Sequence, residues 1–313
     1  MRIVNNFEIH YYFGDDSHDI DAFIRNRCEA ELLAIITEVA TEIGVDARIL
    51  ADAVTEGGFR DFWKLVGDNS GQITVVLVIV QILLTIVPMI VESENEALEK
   101  EFNRIKIEET TLNIEKLKRE LESNESTAEK ANQTAKKLSH NLKIIKRKSN
   151  LYATLNSYPK IEAVGFNVVD NERNPVRDEI SIPKSEFGNF VLGTNKLPSI
   201  ETEATIEIIS PVLKEGRYKW KGIFEDEPIS FEMLDAAFRD AVLLENIPFQ
   251  HGTSIVCVLR IGRVLDELGD VKISGYAVTT VIEKIDSDAR LETQQGKQYR
   301  HAKKQRENQG KLF

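Results

Sequence analysis

The sequence predicts an α+β membrane protein in which a single transmembrane helix follows a small N-terminal β-α-β unit. Two observations carry this prediction: one long uncharged run near residue 80, and alternating apolar and polar residues on both sides of it. The predicted parts are a β-α-β unit over residues 1–70, a transmembrane helix over 71–91, a helical hairpin or coiled coil over 92–150, a mainly antiparallel α+β domain with one helix over 160–286 and a basic disordered tail over 287–313.

The long uncharged run extends from Ile73 to Val91 and reads ITVVLVIVQILLTIVPMIV. As a helix rising about 1.5 Å per residue it would measure roughly 28 Å, which is close to the hydrocarbon thickness of a bilayer. A strand of this length would be exceptional, and a helix in a soluble core normally keeps one polar side. The run therefore favours a membrane span over the alternative, a buried core helix.

Polar residues within and just after this run recur on one helical stripe. The residues Thr74, Gln81, Thr85, Pro88 and Glu92 follow one another at intervals of seven, four, three and four. Intervals of four and three are typical of a seam where helices pack around a common axis. Unpaired polar groups are costly in hydrocarbon, so the stripe is expected to face water or other copies of the chain.

Two interpretations of the stripe stay open, a dry dimerisation seam and a pore lined by several copies. The pore-lining residues would be Thr74, Gln81, Thr85 and Glu92. An acidic run directly after the helix favours the pore, because carboxylates at a pore exit concentrate cations. That run contains Glu92, Glu94, Glu96, Glu99 and Glu101.

Composition narrows the class of protein. The formal net charge of −11 argues against general coating of nucleic acid, although it leaves room for a local basic site. Cys28 and Cys257 are the only cysteines, so neither a disulfide framework nor a cysteine zinc site is supported. The first twenty residues contain no apolar signal region. We therefore place the large C-terminal part in the cytoplasm.

The N-terminal unit is predicted from periodicity. Its elements are a strand over 6–13, a helix over 19–43 and a second strand over 47–54. Residues 59–63, rich in aromatic side chains, are typical of a segment lying at a bilayer interface. His10 and His18 lie near acidic residues, but their spacing is not that of metal ligands, and a solvated turn is favoured.

The segment after the uncharged run predicts helices. A first helix is expected from Glu92 to about Glu122, and Ser126 with Glu129 forms a capping box that begins another. Apolar residues of the second helix form a heptad series, Ala128, Ala131, Ala135, Leu138, Leu142 and Ile145. A hairpin within one chain and an oligomeric coiled coil both fit this pattern. Together with the stripe, it predicts a closed homo-oligomer.

The C-terminal domain is predicted from alternating runs at 161–169, 203–213, 217–224, 254–261 and 271–282, with a turn at 225–228 and a helix at 233–244. The last seventeen residues are basic and nearly devoid of apolar side chains, which predicts disorder. No P-loop, G-x-S-x-G or H-E-x-x-H motif occurs, so we expect a protein that is not an enzyme and that holds no cofactor or metal.

A candidate ligand site lies in the C-terminal domain. Arg217, Lys219 and Lys221 would project from one face of a strand about 7 Å apart, a spacing that fits successive phosphates. Arg260 and Arg263 on a later strand would extend this track. The alternative is an ordinary amphipathic strand whose intervening aromatic residues lie in the core. An oligonucleotide or nucleotide would suit the track.

The order of these parts, together with the strings FEIHYYF (residues 7–13) and Glu56-Gly57-Gly58, resembles bacterial anti-phage membrane effectors, and in particular the transmembrane effector of the Hailong defence system. The resemblance implies a tetrameric, electronegative ion channel in the bacterial cell membrane. It also implies a partner nucleotidyltransferase whose single-stranded DNA oligomers keep the channel closed until phage infection.

The predicted function is therefore an oligomeric defence channel, gated by a nucleotide or single-stranded DNA ligand, that depolarises the membrane and arrests growth. The alternative is a non-conducting, membrane-anchored coiled-coil receptor or scaffold. The two hypotheses differ in whether the stripe faces water or is dry.

Overall fold

The computed structural model describes residues 4–15, 19–51, 59–88, 127–175, 177–214, 216–244, 247–287 and 289–310. These residues form two compact units. The first unit contains residues up to 88, residues 127–195 and residues 265–270, and the second contains residues 196–264 and 271–310.

The first unit places helices on one face of an antiparallel sheet. Its elements are β1 (Val4–Phe13), α1 (Ala22–Glu42), β2 (Arg48–Ala51), β3 (Phe59–Val66), α2 (Ser70–Thr85), α3 (Thr127–Leu138), α4 (Leu142–Ser157), β4 (Ile161–Asp170), β5 (Ile180–Pro183) and a 3-10 helix (Lys184–Phe190). The strand order is β2-β3-β1-β4-β5. Alternation in β1 turns Phe7, Ile9 and Tyr11 into the core.

Residues 73–85 of the uncharged run lie in α2, which is a core helix of the first unit. It begins after Asn69, whose side chain accepts hydrogen bonds from the backbone of Gly71 and Gln72, and it ends at Thr85. Its sixteen residues contact α1, α3, β1 and β4. Within the described ranges, no helix is both long enough and apolar enough to span a bilayer. The predicted membrane fold class, with its transmembrane helix over 71–91, is therefore wrong.

Two polar side chains of α4 satisfy the carbonyl groups at the end of α2. Lys148 donates through Nζ to the carbonyl oxygens of Leu83, at 2.9 Å, and Ile86, and the Tyr152 hydroxyl donates to that of Leu84 at 2.8 Å. The last carbonyls of a helix have no partner within it, and a buried helix must find partners elsewhere. Burial lowers the pKa of Lys148 to about 8.

The predicted heptad series belongs to two helices. α3 ends at Leu138, and Asn141 begins α4 by accepting hydrogen bonds from the backbone of Lys143 and Ile144. Ala131 and Ala135 are buried where α3 packs against α2 of the same chain, and α4 packs against α1. These contacts occupy the apolar face of α3 within one chain. The predicted first helix of this region lies outside the described residues, as does Glu92, and the homo-oligomer stays a prediction.

The second unit is built on a sheet that closes on itself. Its elements are β6 (Lys196–Ser210), β7 (Trp220–Phe224), β8 (Glu227–Met233), α5 (Ala236–Leu244), β9 (Ser254–Leu265), β10 (Val271–Asp286), β11 (Ala289–Glu292) and α6 (Gln294–Gly310). The strand order is β11-β10-β8-β7-β6-β9, and β10 also pairs with β9. β8 and β10 are parallel, whereas β6 pairs antiparallel with both β7 and β9. Trp220, Phe231 and Phe238 lie in its core.

The boundaries between the units differ from those predicted. β4 pairs with β1 across more than 150 residues of sequence, so residues 161–195 belong to the first unit and not to the C-terminal domain. The segment predicted as a disordered tail contains β11 and α6. α6 is fixed by polar contacts, because Gln295 donates to Asp235 and Arg300 to Glu283. Gly296 lets α6 approach β10, since a Cβ there would lie 2.2 Å from the Ile282 carbonyl oxygen.

Candidate functional site

Three of the predicted pore-lining residues, Thr74, Gln81 and Thr85, lie in the first unit, whereas Glu92 lies outside the described residues. Gln81 is fully buried and donates through Nε2 to the carbonyl oxygens of Phe166, at 2.9 Å, and Asp178, at 3.3 Å. Thr85 donates to the carbonyl oxygen of Ile82 within its own helix, and Thr74 is half-buried. The Gln81 amide thus joins α2 to β4 and to the chain before β5 through Nε2, while its Oε1 is buried without a hydrogen-bond partner. A pore lined by this stripe would need a transmembrane helix, whereas Thr74, Gln81 and Thr85 lie in the core helix α2.

The cationic residues predicted on one strand divide between a loop and a strand. Arg217 and Lys219 lie in the connection of residues 211–219 between β6 and β7, and Lys221 lies in β7; all three are exposed. Tyr218 is 59 % exposed, whereas Trp220 is buried. The alternative interpretation, with both aromatic residues in the core, therefore holds for Trp220 and not for Tyr218, because the strand begins at Trp220, three residues later than predicted.

The backbone holds Tyr218 beside these cations. Gly216 has φ +139°, and a Cβ at this position would lie only 2.7 Å from Cε2 of the Tyr218 ring. Only glycine combines this backbone conformation with so close an approach of the ring. The exposed ring therefore has a defined place between Arg217 and Lys219.

Lys221 lies on the outer face of the closed sheet, near the start of β7. It lies opposite Ser210 of β6 and Ser230 of β8 in the strand register, and both serines are exposed. Lys219 has one acidic neighbour, with its Nζ 3.9 Å from the Glu232 carboxylate. Both groups of that pair are at least half exposed, so the ion pair is weak and a ligand can displace it.

Arg260 and Arg263 do not extend this cationic group. Arg260 pairs with Glu201 at 2.8 Å, and Arg263 donates to the Pro198 carbonyl oxygen at 2.8 Å. Along β6, Glu201 lies nine residues from Ser210, the register partner of Lys221. Nine strand residues measure roughly 30 Å, so the two groups occupy opposite ends of the sheet. The candidate site is thus residues 217–221.

A pocket of about 690 Å³ opens where β6 ends. Its walls come from the end of β6 and the first loop residues, from α5, and from the loop 247–252. The lining residues are Glu207, Ile208, Ile209, Pro211, Leu213, Val242, Leu243, Ile247, Pro248, Phe249, Gln250, His251 and Gly252. No local sequence pattern predicts this pocket, because its walls come together only when the sheet closes.

A buried ion pair supports one wall of the pocket. Lys284 pairs with Asp286, and its Nζ lies 5.3 Å from the centre of the Phe249 ring. Asp286 accepts a hydrogen bond from the Thr253 hydroxyl, which in turn accepts one from the backbone N–H of Gln250 at 3.0 Å. These contacts hold the loop 247–252 in place through Phe249 and the backbone of Gln250.

A second polar cluster lies on the first sheet, on the face opposite the helices. Glu8 is buried and accepts hydrogen bonds from Arg60 at 2.7 Å and Asn167 at 3.4 Å. The three residues lie on the adjacent strands β3, β1 and β4. Their pairing explains how a carboxylate can be buried in this sheet, because a partner on each side compensates its lost hydration.

His10 and Tyr12 continue this cluster toward the open end of β1. The Tyr12 hydroxyl donates to Glu179 at 2.7 Å, and Nδ1 of His10 lies 3.5 Å from the same carboxylate oxygen. Burial, together with the nearby Arg60 charge, lowers the pKa of His10 below its usual value. Burial and the Glu179 hydrogen bond raise the pKa of Tyr12 to about 12. These contacts form a network that joins β3, β1 and β4, although Nδ1 of His10, Nε of Arg60 and Oδ1 of Asn167 are buried without a hydrogen-bond partner.

Nothing in the described ranges points to a metal centre, since no three potential ligand residues there are grouped to hold an ion. No protein-family model, no curated protein and no solved structure matches this chain.

Proposed function

We propose that the second unit binds a single-stranded oligonucleotide or a similar polyanion through residues 217–221. The observation that carries this proposal is the strand order. β6, β7, β8, β10 and β9 form a closed five-stranded sheet in which the third and fifth strands are parallel and a helix joins the third to the fourth. This is the connectivity of the oligonucleotide/oligosaccharide-binding fold.

In that fold, ligands lie on the second and third strands and on the loop between the first and second strands. The corresponding elements here are β7, β8 and the loop 211–219. Arg217 and Lys219 occupy the loop and Lys221 the second strand, so the candidate site coincides with the surface that this fold uses. Fold does not dictate function, and the proposal therefore depends on the chemistry of these side chains.

The side chains suit a single strand of nucleic acid. Proteins that bind single strands without sequence preference combine cations along the backbone with aromatic rings on which bases stack. Arg217, Lys219 and Lys221 supply the charges, and the exposed ring of Tyr218 supplies the stacking surface. The carboxylate of Glu207 is exposed on β6 opposite Ile223, farther from the loop than Lys221, and it would confine phosphates to the loop end of this face.

The test is a binding titration of the full chain with a fluorescent single-stranded DNA at several salt concentrations. Reversing the charge of Lys219 and Lys221 together should weaken binding at least tenfold, and should reduce the salt slope by about 0.7 per lost phosphate contact. Tyr218→Ala should cost about 1–3 kcal/mol of binding free energy through lost stacking.

The matched control reverses two exposed lysines of α6 in the same unit, Lys297 and Lys304, with the same change in net charge. If this control weakens binding as much as the Lys219/Lys221 variant, binding follows net charge and the proposed site is wrong. The channel, the alternative scaffold role and the partner nucleotidyltransferase stay predictions, and this proposal requires none of them.

A further inference from the structure

The pocket at the end of β6 has the size of a small-molecule site. Ligand pockets commonly measure about 300–1,000 Å³ and combine apolar walls with a few polar groups. This pocket has about 690 Å³, and it leaves Ile209 and Leu213 more than half exposed at its rim. Exposed large apolar side chains around a cavity indicate a surface that is covered in the functional state.

The pocket adjoins the cationic site through the chain itself. Ile209 and Pro211 line the pocket on either side of Ser210, which is the register partner of Lys221. Neighbouring strands lie about 4.8 Å apart, so the backbone of Lys221 lies one strand spacing from the edge of the pocket. Leu213 also lines the pocket, and the same loop continues directly to Arg217.

The lining favours an aromatic, hydrogen-bonding group over an aliphatic chain. Glu207, Gln250 and His251 contribute polar atoms beside the apolar walls. All three residues are exposed, so an alkyl chain in the pocket would gain nothing from their hydrogen-bonding groups. A nucleobase offers both an apolar face and a polar edge. The loop that carries Gln250 and His251 is fixed by Thr253 and the Lys284–Asp286 pair, so this wall is formed before a ligand binds.

We propose that the pocket receives a terminal nucleoside, whose phosphate meets Arg217, Lys219 and Lys221. This inference rests on the proposed function and sharpens it: the second unit recognises the end of an oligonucleotide, and not only a run of phosphates. A free mononucleotide offers the same chemistry as such an end, and the experiment separates these two sources.

The experiment compares three probes on the full chain: a linear single-stranded oligothymidylate, the same DNA circularised, and thymidine monophosphate as a competitor. The linear DNA should bind at least tenfold more tightly than the circle. Ile209→Trp, which fills the pocket from its rim, should reduce the affinity for linear DNA to that for the circle. Competition by the monophosphate at micromolar concentration identifies a mononucleotide as the ligand; its failure to compete identifies an oligonucleotide end.

Ile273→Trp is the matched control, because Ile209 and Ile273 are both 56 % exposed and both lie on strands of the second unit. Ile273 lies at the start of β10 beside Gly262, at the end of the sheet far from Ser210. This control should bind all probes as the parent does. Thermal unfolding shows whether Ile209→Trp perturbs folding. If it does, Leu213→Trp fills the pocket from the exposed loop instead.

The outcomes separate this inference from the proposal that it extends. If linear and circular DNA bind equally and both pocket variants behave as the parent, while the Lys219/Lys221 variant binds weakly, the terminal site is wrong and the phosphate site stands. If neither DNA nor the monophosphate binds the parent, both proposals fail together.

Discussion

Among the long helices of the described chain, α2 is the most apolar and α6 is the most polar. Polar side chains from another helix hold the end of α2, and carboxylates from other elements hold α6. α2 has no charged residue, yet its last turn is completed by Lys148 and Tyr152 of α4. α6 has Tyr299 and Ala302 as its only apolar side chains, yet it packs against β10. Its anchors are carboxylates of other elements, Asp235, Glu203 and Glu283.

The comparison teaches that helix composition alone does not decide where a helix lies. A helix that is apolar all round is buried in a large core or in a bilayer, and local sequence does not separate the two. A helix that is polar all round stays ordered only where charged partners fix it. In both cases the deciding residues come from distant parts of the chain. Substitutions in α2 and around α6 test these two kinds of anchoring.

The largest effect should come from the apolar packing of α2. Leu77 is fully buried in the core of the first unit. Leu77→Ala should lower the free energy of unfolding by about 2–5 kcal/mol, because it removes buried methyl groups and leaves a cavity. Chemical denaturation followed by circular dichroism measures the change. Leu244→Ala is the control, since Leu244 is 79 % exposed at the end of α5, and it should change stability by less than about 0.5 kcal/mol.

If Leu77→Ala lowers the free energy of unfolding no more than Leu244→Ala does, α2 is not a core helix. A lipid-facing leucine would behave in that way, because it gains little from packing against protein.

A smaller effect should come from the polar end of α2. Because burial lowers the pKa of Lys148 to about 8, the unfolded chain binds more protons than the folded chain between pH 8 and the usual lysine pKa near 10.5. Through Lys148, stability should therefore rise as the pH increases above 8, by up to about 1.4 kcal/mol per pH unit. The buried thiols of Cys28 and Cys257 oppose this rise, because burial raises their pKa values to about 12 and thiols of the unfolded chain ionise from about pH 8.5. The quantity that reports Lys148 is therefore the difference in pH dependence between the parent and a variant without this amine.

Lys148→Met should remove the Lys148 contribution, so between pH 8 and 9 the stability of the variant should fall relative to that of the parent. Lys143→Met, at a half-exposed lysine on the same helix, should keep the pH dependence of the parent. An identical pH dependence in the parent and in Lys148→Met would show that this amine is not buried as the structure has it.

The same distinction explains how much of the fold was predictable. β1, α1 and β4 lie close to the predicted segments, because their apolar periodicity is local. The aromatic segment at 59–63 was misassigned to a bilayer interface; it forms β3, where Trp63 is buried and donates to Glu29 at 3.1 Å. Its pairing partner β1 lies some fifty residues earlier, and no local pattern contains that information.

The candidate site was predictable in part for a similar reason. Arg217, Lys219 and Lys221 are neighbours in sequence, so their charge was visible without a structure. The exposure of Tyr218 depends on where β7 begins, and the separation of Arg260 depends on the register of β6 with β9. The pocket depends on the closure of the sheet. Features that depend on strand register or sheet closure were not available from composition and spacing.

The smallest effect should come from the ionic anchoring of α6. Glu203 accepts hydrogen bonds from Lys303 at 2.6 Å and Tyr299 at 3.0 Å, and the Lys303 hydrogen bond is the main cause that lowers the pKa of Glu203. This contribution is present above the usual glutamate pKa and is lost as the pH falls through the lowered value. Partly exposed ion pairs contribute little to global stability and are screened by salt.

Glu203→Gln should therefore leave the unfolding midpoint nearly unchanged but increase amide hydrogen exchange in α6 several-fold, while exchange in α2 stays as in the parent. High salt should raise exchange in α6 of the parent toward the level of the variant. Lys304→Gln, on the exposed side of α6, is the control and should leave exchange unchanged. If the amides of α6 in the parent exchange no faster in 1 M salt, and the Glu203 variant matches the parent, the carboxylate anchors do not hold this helix, and its order must come from the close approach at Gly296.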